Sequence, residues 1–330
     1  MNAGGARRRV VVAFGGNAIT REHERGTWDE QSANARVAAR AVVELREAGH
    51  EVLLTHGNGP QVGALALQHL LGAEHAPTLP FDALGAMTQG QLGYLLQQAV
   101  CALAPDVPTA TVLTRVVVDP GDPAFARPTK PIGPFYDEAT ARSLAGARGW
   151  VVGADAGRGW RRMIASPQPL DVVEIEHIRA LLDRGVVVVA GGGGGVPVAR
   201  VDGRLVGVEA VIDKDRCSAR LAASTGADLL VMVTGVDRVA LDYGTRWQRD
   251  MARLTISDAQ RHLESGEFPA GSMGPKIEAG VTFLDEGGRA AVITATEHVS
   301  AACAGLHGTW LVPDQDGPSS TAAVTPAAAA

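Results

Sequence analysis

The feature that most constrains this chain is a repeated join, in which a short β-branched run stops in glycine. Val10 to Phe14 ends in Gly15-Gly16-Asn17, Val52 to Thr55 passes through His56 into Gly57-Asn58-Gly59, and Val186 to Ala190 ends in Gly191 to Gly195. A short apolar run bounded by turn residues reads as a buried strand. Glycine at its exit lets backbone N–H groups approach a ligand, and successive N–H groups form an anion nest. At any one exit a plain tight turn is the ordinary alternative. Helical patterns fill the gaps. Asp29 to Ala48 carries apolar residues at helical spacing and stops at Gly49, Pro60 opens a helix to about Leu71, and a long helix runs from about Ala83 to Leu103. This alternation predicts a mostly parallel sheet with helices on both faces, a three-layer αβα sandwich whose strand exits share one ligand-binding edge.

The rhythm continues with a strand at Thr111 to Val118 and breaks at Asp119 to Pro134, where Pro120, Pro123, Pro128, Pro131 and Pro134 predict a stiff, extended excursion, neither helix nor central strand. A short helix at about Asp137 to Ala145 separates it from a second excursion, Gly153 to Pro169, which holds Arg158, Trp160, Arg161 and Arg162. Residues 119–169 therefore read as one protruding subdomain inserted in a single domain spanning 9–313. Beyond it come a helix at Val172 to Asp183, a hairpin from Val196 to Val208 turning at Asp202-Gly203, and a helix from Lys214 to Ser224. The strand Leu229 to Val233, a loop from Thr234 to Arg249, helices at Ser257 to Leu263 and after Pro275, and strands at Ala290 to Thr294 and Thr309 to Val312 complete the fold. The Ala/Pro/Ser-rich segment 314–330 is expected to be a disordered tail.

Composition removes several classes of function. A net charge of −6 gives no global pull toward nucleic acid or anionic lipid, and 4% aromatic residues provide no stacking platform. Cys101, Cys217 and Cys303 are far apart and outside any metal-ligand spacing, so neither a disulfide framework nor a zinc site is expected. Arg7-Arg8-Arg9 before an apolar run imitates a secretory signal, but two glycines and an asparagine interrupt the run and no small-residue cleavage pattern follows. The expectation is a cytoplasmic protein with no membrane partner.

Two lysines carry the sharper chemical signal. Asp213-Lys214-Asp215 opens one predicted helix and Met273-Gly274-Pro275-Lys276 opens another, although a helix N-terminus already carries partial positive charge. Each alone could simply pair with a neighbouring carboxylate. Two together, at helix starts feeding a glycine-rich sheet edge, suggest that a polyphosphate supplies the compensating anion. Neither G-x-G-x-x-G nor G-x-x-x-x-G-K-[ST] occurs, which disfavours a dinucleotide enzyme or P-loop ATPase. Lys130, among the prolines, reads either as a solvated loop lysine or as one presented to a substrate from above. The Arg158 to Arg162 cluster reads first as a solvated loop, and His177 with Glu174 and Glu176 as an exposed helix face.

Through GGNA at Gly15 to Ala18, HGNGPQ at His56 to Gln61, AMTQGQLGY at Ala86 to Tyr94, PTKPIGPF at Pro128 to Phe135, GVEAVIDKD at Gly207 to Asp215, TGVD at Thr234 to Asp237 and GSMGPKIEA at Gly271 to Ala279, the chain resembles the carbamate kinases of the amino acid kinase family. The resemblance spans about Arg9 to Val312, and Phe14, where an aliphatic residue is usual, is its one departure near a motif. It implies the amino acid kinase fold and reversible phosphoryl transfer between ATP plus carbamate and ADP plus carbamoyl phosphate, run toward ATP in arginine catabolism by the arginine deiminase pathway. Lys214 and Lys276 match the lysines that hold the transferring phosphoryl group, Asp215 the aspartate that orients them, and Lys130 the subdomain lysine that reaches carbamoyl phosphate. Gly15, Gly16 and Asn17, with Gly57, Asn58 and Gly59, match the backbone cradle for phosphoryl and carbamate. The nucleotide is expected near Thr234, Gly235, Val236 and Asp237 and near Met273, Gly274 and Pro275. Magnesium is expected to be held by nucleotide phosphates and water without protein ligands, and the enzyme to be a homodimer. Carbamate is itself an anionic nucleophile, so no general base is needed. A related acid kinase of the acetylglutamate or glutamate type and a catalytically silent nucleotide-binding protein are the alternatives.

Overall fold

In the structure, a computed structural model, residues 7–21, 23–155, 159–269 and 271–314 are described. Arg158 and the tail from residue 315 onward lie outside the described residues. Strand β1 (Arg9–Phe14) breaks at Gly15 into a single helical turn, α1 (Gly16–Ile19). Helix α2 (Trp28–Glu47) follows, its start closed by a capping box between Thr27 and Glu30. Strand β2 (Glu51–His56) leads into α3 (Gly59–Gly72), and α4 (Phe81–Leu103) returns to the short strand β3 (Thr109–Thr111).

Here the chain leaves the sheet. The run read as one strand, Thr111 to Val118, is two pieces in two sheets: β3 ends at Thr111 and β4 (Arg115–Val117) pairs elsewhere. The physical cause is Gln89 on α4, whose side-chain amide accepts from the Thr114 N–H at 2.8 Å and donates to the Thr114 carbonyl at 3.1 Å. The Thr114 N–H is thereby taken, while its carbonyl also accepts from the Val196 N–H at 2.8 Å, so the chain passes from one sheet to the other at this residue.

The proline-rich excursion is also more regular than its composition predicts. It contains a turn of helix, α5 (Pro123–Ala126), and strand β5 (Lys130–Tyr136). Helix α6 (Glu138–Arg148), capped by Asp137, and strands β6 (Val151–Ala154) and β7 (Trp160–Ile164) complete an antiparallel sheet in the order β5-β7-β6. β5 tolerates Pro131 and Pro134 because it is an edge strand, bonded on one side only. Arg161 and Arg162 of the second excursion do not lie in a solvated loop. Arg161 sits in β7 and donates to Asp155 at 2.9 Å and to the Gly133 carbonyl at 3.0 Å, while Arg162 packs its guanidinium over Trp150.

Strand β8 (Asp171–Val172) pairs with β4, so α7 (Ile175–Asp183) starts later than its apolar spacing suggests; His177 on it is exposed as expected. Strand β9 (Val187–Val189) enters a 3₁₀ turn at Gly192–Gly194, followed by the hairpin β10 (Val196–Val201) and β11 (Arg204–Gly207). Asp202 and Gly203 both have positive φ, the geometry that matches the twist of a two-residue hairpin. Helix α8 (Lys214–Thr225) leads to β12 (Leu229–Thr234). The segment read as a loop, Thr234 to Arg249, closes a small hairpin of β13 (Val239–Leu241) with β14 (Arg249–Met251), whose three-residue strands are too short to leave a periodic signal. The chain ends with β15 (Arg253–Thr255), α9 (Ile256–Glu264), α10 (Gly274–Asp285), β16 (Ala290–Ala295), α11 (Val299–Cys303) and β17 (Thr309–Val312).

The main sheet has eight strands in the order β15-β17-β16-β12-β1-β2-β9-β3, parallel except where β17 meets β16. Alternate residues of the central strands feed opposite cores. Val11, Ala13, Leu53 and Met232 pack with α7, α8 and α10, whereas Val10, Val12, Phe14 and Leu54 pack with α2 and α4. Phe14, like its neighbours in β1, is fully buried. Both faces are covered, which is why the strands read as continuous apolar runs.

The third glycine exit differs from the other two. Gly191 to Gly195 are all buried, and side chains of β2's exit and of the segment before α8 press against them. At Gly194, with φ of +91°, a Cβ would overlap the Ile212 carbonyl oxygen. Glycine in this run lets the segment before α8 close over it. We therefore expect Gly194→Ala to destabilise the protein by roughly 2–4 kcal/mol, combining left-handed strain with overpacking. A denaturant midpoint unchanged from the parent protein would contradict this.

Candidate active site

Three helix starts converge on the sheet edge formed by the exits of β1, β2 and β12. Gly59 and Pro60 at the head of α3, Lys214 at the head of α8, and Pro275 and Lys276 at the head of α10 all line one cleft of ≈ 220 Å³. Each start leaves backbone N–H groups without helical acceptors and adds partial positive charge.

Five side chains set the electrostatics. Asp213 caps α8: its Oδ1 accepts from the Asp215 N–H at 2.9 Å, and its Oδ2 accepts from Lys130 Nζ at 2.6 Å. Asp215 accepts from Lys214 Nζ at 2.6 Å through Oδ1 and from Lys276 Nζ at 3.0 Å through Oδ2. Lys214 thus pairs with the following aspartate, whereas Lys276 reaches back to α8 and leaves Glu278 to Arg216. Three lysines face two carboxylates, so the cluster has an excess of positive charge.

Burial opposes charge on Asp213, but the charge and hydrogen bond of Lys130, with Lys214 nearby, hold its carboxyl far below the ordinary carboxylate range. Asp215 behaves alike: burial works against ionisation, and Lys214 and Lys276 outweigh it. Burial likewise disfavours charge on Lys214, yet Asp215 and Asp213 raise its pKa above the usual lysine value. Lys276 goes the other way, lowered by burial and then by the charge of Lys214, against the pull of Asp215. Of the two, Lys276 is the lysine short of negative charge, and an arriving anion would supply it.

A second, larger cleft of ≈ 480 Å³ opens on the other side of the same lysines. The two clefts share Gly16, Lys214, Gly271, Ser272 and Lys276. The glycine turns of β1 and β2 abut at this junction. A Cβ on Gly57 would come within 2.9 Å of the Gly16 nitrogen and 3.2 Å of the Lys214 side chain, so only glycine allows the approach.

The residues expected at a site distribute over these clefts. Gly15, Gly16, Thr234 and Gly235 line the larger one, and Gly16, Gly57, Asn58, Gly59, Lys130, Asp215 and Pro275 the smaller. Asn17 contributes the backbone of the α1 turn. Asn58 also donates from Nδ2 to Thr88 at 2.8 Å, tying the head of α3 to α4. Val236, Asp237, Met273 and Gly274 line neither cleft. Asp237 pairs with His298 at 3.3 Å beside the larger cleft, Met273 packs on the core at the start of α10, and Gly274 lies against the Pro269 carbonyl.

Arg21, Ser272, Thr296 and Glu297, which also line the larger cleft, were not anticipated. Thr296 and Glu297 follow β16, an exit on the same edge without a glycine to mark it. Asp213 was visible only as a possible partner of Lys214. An aspartate directly before a helix is a capping signal, but nothing in the sequence joins it to Lys130, 83 residues away. Among the described residues no group of three or more His, Cys, Asp or Glu side chains is placed to hold a metal ion, and no helix is long and apolar enough to cross a membrane.

Residues 8–295 match the profile of the amino acid kinase family. A carbamate kinase of Pyrococcus furiosus is 45% identical over 312 residues, covering 93% of this chain and 99% of that one. Another, from Halobacterium salinarum, is 46% identical over 304 residues, covering 92% and 98%. Among solved structures, carbamate kinase from Giardia lamblia bound to AMP-PNP superposes with a TM-score of 0.87 at 38% identity, covering 95% of this chain and 100% of that one.

His56, at the exit of β2, is 1% exposed, and burial pushes its imidazole down to about 4. The unfolded chain takes up this proton near pH 6.5 and the folded chain only near 4, so stability is lost as pH falls through that window. At pH 4.5 the loss from this group is about 2–3 kcal/mol. Urea unfolding at pH 7 and 4.5 should register it, and His56→Gln should shrink the difference; the same pH dependence in both proteins would refute the assignment.

Proposed function

The chain belongs to the amino acid kinase family, and within it to the carbamate kinases, and from that premise we propose that the two clefts seat the two halves of a single phosphoryl transfer between ATP plus carbamate and ADP plus carbamoyl phosphate. The observation that carries this reading is that the clefts meet at Gly16, Lys214 and Lys276. The larger cleft has room for a nucleotide, and the smaller for carbamate. A phosphoryl group crossing between them would pass the point where both ammonium groups and the Gly15-Gly16-Asn17 turn converge.

Carbamate oxygen attacks the γ-phosphorus, the bond to the β-phosphate bridging oxygen breaks, and ADP leaves with the electron pair. No proton need move. This suits a site whose two carboxylates are already committed to lysines and whose histidine is buried and neutral. Such a transfer depends on position and on positive charge against the equatorial oxygens. Lys214 and Lys276 supply that charge, Asp215 holds both ammonium groups in place, and Lys130 reaches the carbamoyl phosphate from the inserted sheet. Asp213 is a positioning residue that holds Lys130 over the cleft.

The donor set fits a magnesium ion carried on the nucleotide phosphates and completed by water, since Asp213 and Asp215 in the smaller cleft are occupied by lysines and Glu297 is the carboxylate that lines the larger one. When bound, that ion neutralises phosphate charge. We also propose a cytoplasmic homodimer. In support, Met87, Tyr94 and Cys101 form an exposed stripe at seven-residue spacing along α4, and Trp28 stacks on Tyr94 with ring centroids 6.3 Å apart.

Protein mixed with ADP, magnesium and carbamoyl phosphate should form ATP, with acetylglutamate, glutamate and their phosphates as inactive controls. Folded protein that forms no ATP would end this reading. Lys214→Ala and Lys276→Ala should each lower kcat by on the order of 100-fold or more, as expected when preorganised charge is removed from a transition state. Near-normal turnover in either would show that the charge lies elsewhere.

Asp213→Asn separates capping from positioning, because asparagine still caps α8 but carries no charge for Lys130. We expect kcat/KM for carbamoyl phosphate to fall by about 10-fold or more while KM for ADP stays within about twofold. An equal rise in both KM values would indicate general damage to the site.

A further inference from the structure

A third cavity, of ≈ 200 Å³, lies outside the clefts already described, between the inserted sheet and helices α3 and α4. Its floor is apolar, from Leu67 and Leu70 of α3 and Phe81 and Leu84 of α4. Its other wall is Tyr136 and Trp150 of the inserted subdomain, with Ile132 and Gly133 of β5 between the two sides. A cavity of about 150 Å³ already accepts benzene, so this one has room for a ring with a short tail.

The rim carries two guanidinium groups and one carboxylate, Glu209. Arg162 lies 4.9 Å and Arg148 5.7 Å from the Trp150 ring centroid, so two guanidinium groups border the same indole. Arg162 is paired with Glu209. Among the described residues no carboxylate pairs with Arg148, which lines the cavity and is exposed. An apolar chamber with a few polar groups at a junction between substructures is the usual form of a small-molecule site. The free guanidinium selects an anion, and a carboxylate matches its planar fork.

The cavity also touches the catalytic apparatus through one strand. Ile132 and Gly133 follow Lys130 in β5, and a Cβ on Gly63 of α3 would come within 3.3 Å of the Gly133 backbone. We propose that this cavity is a second ligand site, for a small aromatic or branched aliphatic monocarboxylate, and that its occupant sets how β5 presents Lys130 to the smaller cleft. The binding claim stands on the cavity alone; the coupling rests on the role given to Lys130 above.

The probe is 3-phenylpropionate, with neutral 3-phenylpropanol as its match. Titration into the whole protein should change Trp150 fluorescence saturably with a Kd of about 5 mM or lower, and the signal should vanish in Trp150→Phe. Arg148→Gln should weaken binding about fivefold or more, and Ala66→Leu, which fills the chamber, should abolish it. The probe should shift KM for carbamoyl phosphate and leave KM for ADP unchanged; Ala66→Leu should lose that shift, and Arg148→Gln should need about fivefold or more probe to reach it. No saturable change, equal binding of the alcohol, or undiminished binding in Arg148→Gln would overturn the site. Binding with these properties and no effect on KM for carbamoyl phosphate would overturn the coupling while leaving the kinase assignment intact.

Discussion

The arrangement on which this molecule depends is one carboxylate shared by two buried ammonium groups. Asp215 is 3% exposed and Lys276 8%, and Lys214 presents only 15% of its side chain to solvent. Charges so far from water are costly unless paired at short range, and removing one member of a buried pair costs about 3–5 kcal/mol. Asp215 offsets that cost for both lysines at once. Because Lys214 begins α8 and Lys276 begins α10, the same carboxylate draws two helix starts together, and α8 and α10 then pack as neighbours over the sheet. The ion cluster is therefore a structural joint as well as a concentration of charge.

Backbone contact makes the second joint. The turns after β1 and β2 touch because Gly57 has no Cβ, and the buried run Gly191 to Gly195 closes against the exit of β2 and the carbonyl of Ile212. These contacts hold the glycine turn of β1, the head of α3 and the head of α8 in one small volume. The inserted sheet reaches that volume through Lys130, whose ammonium group is held by the cap residue of α8. Site geometry thus follows from close approach of main chain, with charged side chains set on top of it.

Much of this was legible in the residues themselves. The β-branched runs ending in glycine mark β1, β2, β9 and their exits, and the αβα layering follows from helices that alternate with strands apolar on both faces. The odd placement of Lys214 and Lys276 was visible because helix electrostatics disfavours it. What local pattern could not express was the break at Thr114, caused by a glutamine 25 residues earlier. Nor could it express the β5 strand, which a proline count argues against until its edge position is known. The short hairpin of β13 with β14 and the Thr296-Glu297 exit lacked any local marker.

What the sequence determined by itself was the alternation of elements, the sites where strands break into glycine, and which residues bear charge at helix starts. These depend on local sterics and on the period of apolar residues, both of which act within a few positions of the chain. Only the tertiary structure decided which partner each charge takes. Lys276 reaches across 61 residues to Asp215, Lys130 across 83 to Asp213, and the glycine run after β9 is buried with Gly193 facing the smaller cleft, whereas the run after β1 also opens onto the larger one. Pairing of that kind is chosen by burial, since inside the protein the nearest opposite charge in space prevails whatever its distance along the chain.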